Sequence, residues 1–245
     1  MKIHQLCIAA VACLFLLDSH LSADIVASTM EPTTNILLDE YHNNAGSLAG
    51  TNITDGTSAR GTFFSLDTLT LTGGAAAQGS SNIGPNINAR IDALTFQING
   101  AAGVSATGLD ILFFRGNPAD DATGGVNLAG FLTDTGIAPI LSENHVLPAT
   151  FGSANFFTIN LDNPFIVDSS EDIGVFIFAN GGAITQIEGQ NSGGGRLNFN
   201  TSGFQGASGV RDFNFLIHGV AIPEPTSLAL LGLGALGLIA RRRRS

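Results

Sequence analysis

The 245-residue sequence has no tryptophan, a single tyrosine and a single lysine. Its two cysteines, Cys7 and Cys13, both fall in an apolar stretch at the N-terminus. Each shortage excludes a class of function. Once that N-terminal stretch is set aside as a targeting segment, the remaining chain has no thiol. Disulfides, cysteine metal sites and cysteine nucleophiles are then excluded, and the fold must rest on its core. Between Asp24 and Ala221 there are five arginines and no lysine against 18 acidic residues, a net charge of −13. Nucleic acid is excluded as a partner, because neutralising phosphates needs a cationic surface. Without tryptophan, and with Tyr41 alone, the aromatic girdles of an outer-membrane barrel cannot be built. Long charged blocks are also absent, which argues against disorder.

What is present at the two ends reads as addresses rather than as fold. Met1-Lys2 leads into an apolar run from Leu6 to Leu17, then polar Asp18-Ser19-His20, then Leu21-Ser22-Ala23. That is the layout of a secretory signal peptide over residues 1–23, cut near Ala23, with Ala27 as the other small-residue site. At the other end, Ile222-Pro223-Glu224-Pro225 precedes an apolar run and the arginines Arg241, Arg242, Arg243 and Arg244. The prolines stop regular structure and mark a boundary at residue 222. Residues 226–240 would make a helix about 22 Å long, short for a hydrocarbon core about 30 Å thick. Such a helix spans with local thinning or snorkelling arginines. Arginines on one flank only keep that flank cytoplasmic and send the body outward. The spacing Gly232, Gly234, Gly237 mimics a dinucleotide fingerprint. It lacks the strand, helix and acidic residue that motif needs, and small residues suit helix packing in a membrane.

The order Pro-Glu-Pro, short apolar helix and arginine cluster resembles the PEP-CTERM sorting signal of bacterial exported proteins, over residues 222–245. The resemblance implies an exosortase as partner, a membrane protease-transpeptidase that cuts near Pro223-Glu224-Pro225. It also implies transient inner-membrane anchoring, then a cell-surface or extracellular location, and association with exopolysaccharide or biofilm. In that reading Pro223, Glu224 and Pro225 are recognised rather than catalytic.

The segment 24–221 alternates in period two. Phe64 to Leu71, Ile91 to Ile98 and Phe157 to Leu161 do so, whereas Leu109 to Phe114 and Ile173 to Phe178 are nearly continuous. β-Branched and aromatic residues fill the runs, and glycine, asparagine, aspartate and proline separate them. No apolar face persists at helical spacing for three turns. We expect an all-β domain, an antiparallel β-sandwich or jelly roll of seven to ten strands, with the phenylalanines as core. The near-continuous runs are expected to be central strands. A second resemblance, of Ala59 to Phe64, Asp92 to Phe96, Phe156 to Leu161 and Asp172 to Phe178, is to β-sandwich passengers that precede this kind of anchor. It implies a shape similar to carbohydrate-binding modules.

Few residues suggest chemistry. Asp120 and Asp121 in one loop, and Asp168, Glu171 and Asp172 in another, offer the hard oxygens calcium needs. The same residues suit ordinary turns. Tyr41, His42, Asn43 and Asn44 form the one polar aromatic cluster, either a sugar-contact site or an ordinary loop. His42, His145 and His218 are scattered, and no nucleophile, zinc or phosphate-loop motif occurs between residues 24 and 221. No catalytic residue is assigned, and the expectation is a non-enzymatic structural or adhesive protein. A calcium-dependent carbohydrate-binding module and a secreted polysaccharide hydrolase are the alternatives.

Overall fold

The computed structural model describes residues 25–39, 47–66, 83, 87–100, 103–115, 126–149, 154–189, 196–208 and 212–222. They form antiparallel sheet with almost no helix. One sheet has five strands in the order β1 (Ile25–Ser28), β8 (Phe156–Asp168), β5 (Asn88–Gln97), β14 (Phe215–Ile222) and β2 (Ile36–Asp39). The other has nine. Its main path runs β13 (Asp212–Phe213), β10 (Ala183–Gly189), β3 (Ser47–Thr54), β4 (Ser58–Phe64), β9 (Ile173–Asn180), β6 (Gly108–Arg115) and β7 (Pro139–Val146). On the flank of β4, β11 (Arg196–Asn200) pairs in turn with β12 (Gly203–Ser208).

The two sheets share one apolar core. Ile91, Leu94, Phe96, Phe157, Ile159, Phe215 and Ile217 of the smaller sheet meet Leu109, Ile111, Phe113, Val175 and Ile177 of the larger. Rings bridge the layers directly, with Phe64 and Phe215 centred 5.7 Å apart and Phe113 and Phe165 5.0 Å apart. Removing each such phenylalanine from water contributes about 1.5–3 kcal/mol, a term the fold needs in the absence of cross-links.

A second core covers the opposite face of the larger sheet. There α1 (Leu128–Thr135) lays Phe131 on Phe114, Phe176, Phe178 and Phe199, with ring centres 4.9 to 6.0 Å apart. Asn127 caps the helix by accepting the Gly130 N–H at 2.7 Å. Gly136, in the left-handed region at φ 64°, ends it by donating to the Leu132 carbonyl. This second layer explains the near-continuous runs. On β9, Val175 and Ile177 face the first core while Phe176 and Phe178 face the second, and β6 divides in the same way. Both are interior strands, as the sequence predicts, and both are apolar on each face because each face is covered.

Candidate functional site at the end of the fold

The chain leaves the fold through β14, and the pairing of that strand defines the exit. From Phe215 to Ile222 it pairs with β5, ending on Ile222 opposite Asn88. Its other edge pairs with β2 only at Leu216, Ile217 and His218. The Gly219 N–H then donates to the Asn35 carbonyl at 2.8 Å. A bulge separates His218 from Gly219, and the strands pinch there. A Cβ on Gly219 would lie 1.9 Å from the Arg90 carbonyl oxygen, so only glycine fits.

Asn88 also pairs with Asp168, so the end of β14, the start of β5 and the end of β8 form one edge of the molecule. The turn from Ser169 to Asp172 lies at this edge. Ser169, fully buried, holds it in place. Its backbone N–H donates to the Ile87 carbonyl at 2.9 Å and its hydroxyl accepts the Ile87 N–H at 3.1 Å. Its carbonyl accepts from the Leu66 N–H and the Ser65 hydroxyl, both at 3.0 Å. Three of the carboxylates proposed as calcium ligands, Asp168, Glu171 and Asp172, sit at this turn, and the first two have side-chain partners. Asp168 accepts from the Ser170 hydroxyl at 2.5 Å and N–H at 2.9 Å, which hold its carboxyl below the usual carboxylate range. Glu171 pairs with Arg115 at 2.8 Å, and Asp172 is exposed. Among the described residues no three His, Cys, Asp or Glu side chains gather to hold a metal. Asp120 and Asp121 lie outside the described residues, as do Tyr41, His42, Asn43 and Asn44.

Two polar arrangements are not apparent from the sequence motifs. Glu143 on β7 is buried, and its carboxylate accepts the backbone N–H groups of Asp162 and Asn163 at 2.9 and 2.7 Å, plus the Asn163 amide at 3.0 Å. It thus ties the larger sheet to the wide irregularity in β8, where pairing with β5 breaks off at Asn160 and resumes at Phe165. His145 Nε2 lies 3.3 Å from the same carboxylate. The signal was available: Leu141, Glu143, His145 and Leu147 alternate on one face, so an acid and a histidine share a core-facing row. On the outer face of the smaller sheet, His218 Nδ1 lies 3.0 Å from the Thr34 carbonyl, which can only accept, so Nδ1 carries the proton. Burial pushes the His218 pKa down, opposed by that hydrogen bond. The neutral ring then accepts at Nε2 from the Thr95 hydroxyl at 2.8 Å, and Thr95 Oγ1 accepts from Thr158 at 2.7 Å. These groups brace the fold.

A family match falls at the end of the chain. The family model of the PEP-CTERM protein-sorting motif matches residues 221–244. The chain carries a PEP-CTERM sorting motif. Pro223, Glu224, Pro225 and Arg241, Arg242, Arg243 and Arg244 all fall within the match. The PEP-CTERM motif marks an exported protein handled by an exosortase at a membrane. Its first two matched residues, Ala221 and Ile222, are the last two of β14, so no spacer separates the sheet from the motif. Residues 1–24 and 223–245 lie outside the described residues, so the proposed signal peptide and membrane helix do too. Among the described residues no helix is long and apolar enough to cross a membrane. No curated protein matches the chain.

Proposed function

We propose that this is a non-catalytic passenger, delivered to the cell surface or extracellular matrix by exosortase sorting, with a structural or adhesive role beside exopolysaccharide. In this reading residues 24–221 form a β-sandwich, a signal peptide over 1–23 exports it, and a helix over 226–240 anchors it until processing. The observation that carries the reading is the PEP-CTERM motif placed directly after an all-β body. The acidic surface supports it, since a net charge of −13 over residues 24–221 favours solubility and repels anionic lipid. So do the structural engagements of Glu143, Glu171 and His218, three described groups of the kind acid-base chemistry uses.

Mass spectrometry of the protein recovered from its native location tests the proposal. The expected chain starts near Ala23 and ends near Pro225, without Arg241–Arg244. A full-length cytosolic chain, uncut at both ends, overturns it. Incubating the mature protein with matrix polysaccharide tests the non-catalytic part, and new reducing ends would show a hydrolase instead.

A further inference from the structure

We infer that the exosortase takes more of the chain than the motif itself, and that processing requires Gly219–Ile222 to peel away from β5. The inference rests on the sorting reading above and adds a requirement to it. The matched motif begins at residue 221, yet Ala221 and Ile222 are paired with Ala89 and Asn88. A protease cleft takes its substrate as an extended strand whose backbone groups are free to pair with the enzyme. The last residues of β14 cannot pair with β5 and with a cleft edge that needs the same groups. From Ile222 to Pro225 the chain reaches about 10 Å, and four released residues add about 13 Å more, at roughly 3.3 Å each.

The strand is built to open at one place. Up to His218 it is held on both edges, by β5 and β2, and Phe215, Leu216 and Ile217 are buried. Beyond the bulge, residues 220–222 pair with β5 alone among the described residues. Val220 is 40% exposed, Ala221 is exposed and Ile222 is half-buried, so releasing them uncovers less apolar surface than releasing Phe215, Leu216 and Ile217 would. The bulge between His218 and Gly219 therefore separates a fixed half of β14 from a releasable half.

The registers supply the test, because the chain beyond Cys13 has no cysteine of its own. Arg90 lies opposite Val220 on one side and opposite Ile166 on the other, and Val220 and Ile166 are exposed. Directly opposed residues in antiparallel strands lie within disulfide reach. The full-length double variant Arg90→Cys/Val220→Cys locks the releasable half. Arg90→Cys/Ile166→Cys places the same bond across β5 and β8 and leaves β14 free. Each is presented, oxidised or reduced, to membranes containing the sorting protease, and loss of the tail is tracked by mass. We expect oxidation to slow processing of the first variant at least tenfold and to leave the second at the rate of the native chain. Equal rates for the oxidised and reduced first variant overturn the inference, as does equal slowing of both oxidised variants. If the native chain is not processed at all, the sorting reading itself fails. Hydrogen exchange on the unprocessed native chain then judges the opening by itself. Protection at residues 220–222 is expected to fall at least tenfold below that at 215–217, and equal protection refutes it.

Discussion

Replacing Phe131 with alanine measures what α1 contributes to a β protein. The ring is fully buried and touches four others, those of Phe114, Phe176, Phe178 and Phe199. An aromatic side chain buries about 150–250 Å². Burying the whole side chain is worth about 1.5–3 kcal/mol by transfer alone. Alanine retains its methyl group, and the cavity left behind adds a penalty, so buried Phe→Ala changes cost about 3–5 kcal/mol. We expect about 4 kcal/mol here, because rings from three strands around the gap cannot all move inward. In a domain of about 200 residues this lowers the melting midpoint by roughly 8–16 °C. With no tryptophan to report unfolding, calorimetry or far-ultraviolet circular dichroism is the assay. Phe131→Leu keeps most of the volume and should cost only about 1 kcal/mol. An alanine variant within about 1 kcal/mol of the native protein would mean that the helix does not seal the outer face of the larger sheet.

The buried polar groups carry two more expected outcomes. Glu143→Gln places an amide N–H against backbone N–H groups in a buried site, and should cost about 2 kcal/mol in urea unfolding; unchanged stability would refute the strut between the sheets. His218 has a folded pKa below its ordinary value of 6.5, so the unfolded chain binds the extra proton first. Its contribution is intact above that value and is lost as pH falls from 6.5 towards the folded pKa. Melting midpoints of His218→Asn and of the native protein should therefore converge as the pH is lowered through this range. A constant gap would show that the ring does not titrate on unfolding.

The sequence makes the fold class legible where one face of a strand is wet and the other dry. The rows on β5 and the first half of β8 alternate, and their alternation survives in the structure. β3 and β12 carry too few apolar residues to announce themselves: Ser47-Leu-Ala-Gly-Thr-Asn-Ile-Thr54 and Gly203-Phe-Gln-Gly-Ala-Ser208 are mostly small or polar. β1, β2 and β13 have four, four and two residues, below the length at which period two can be read. Among the described residues, fourteen strands therefore stand where seven to ten were expected. Of the expected strand from Phe64 to Leu71, β4 ends at Phe64, Ser65 and Leu66 lie outside any strand, and residues 67–71 lie outside the described residues. The helix was hidden for a similar reason, since Leu128, Phe131 and Leu132 mark barely more than one turn. Its caps, Asn127 and Gly136, were the stronger clue. The sorting motif is legible because its parts are contiguous. The link between Glu143 and residues 162–163 joins two strands some twenty positions apart, and only the register of β8 brings them together.

Among the described residues, several of the sheet margins are short. A sheet margin offers unsatisfied backbone groups that a neighbouring molecule can adopt, the usual start of fibril growth. Here β1 and β2 close the smaller sheet with four residues each, β13 ends one side of the larger with two, and β12, six residues long, ends the branch through β11. β7 closes the other side, but it begins with Pro139, which has no N–H to offer, and Asn144 reaches back to Asp110. A second copy thus finds little backbone on these short margins on which to stack.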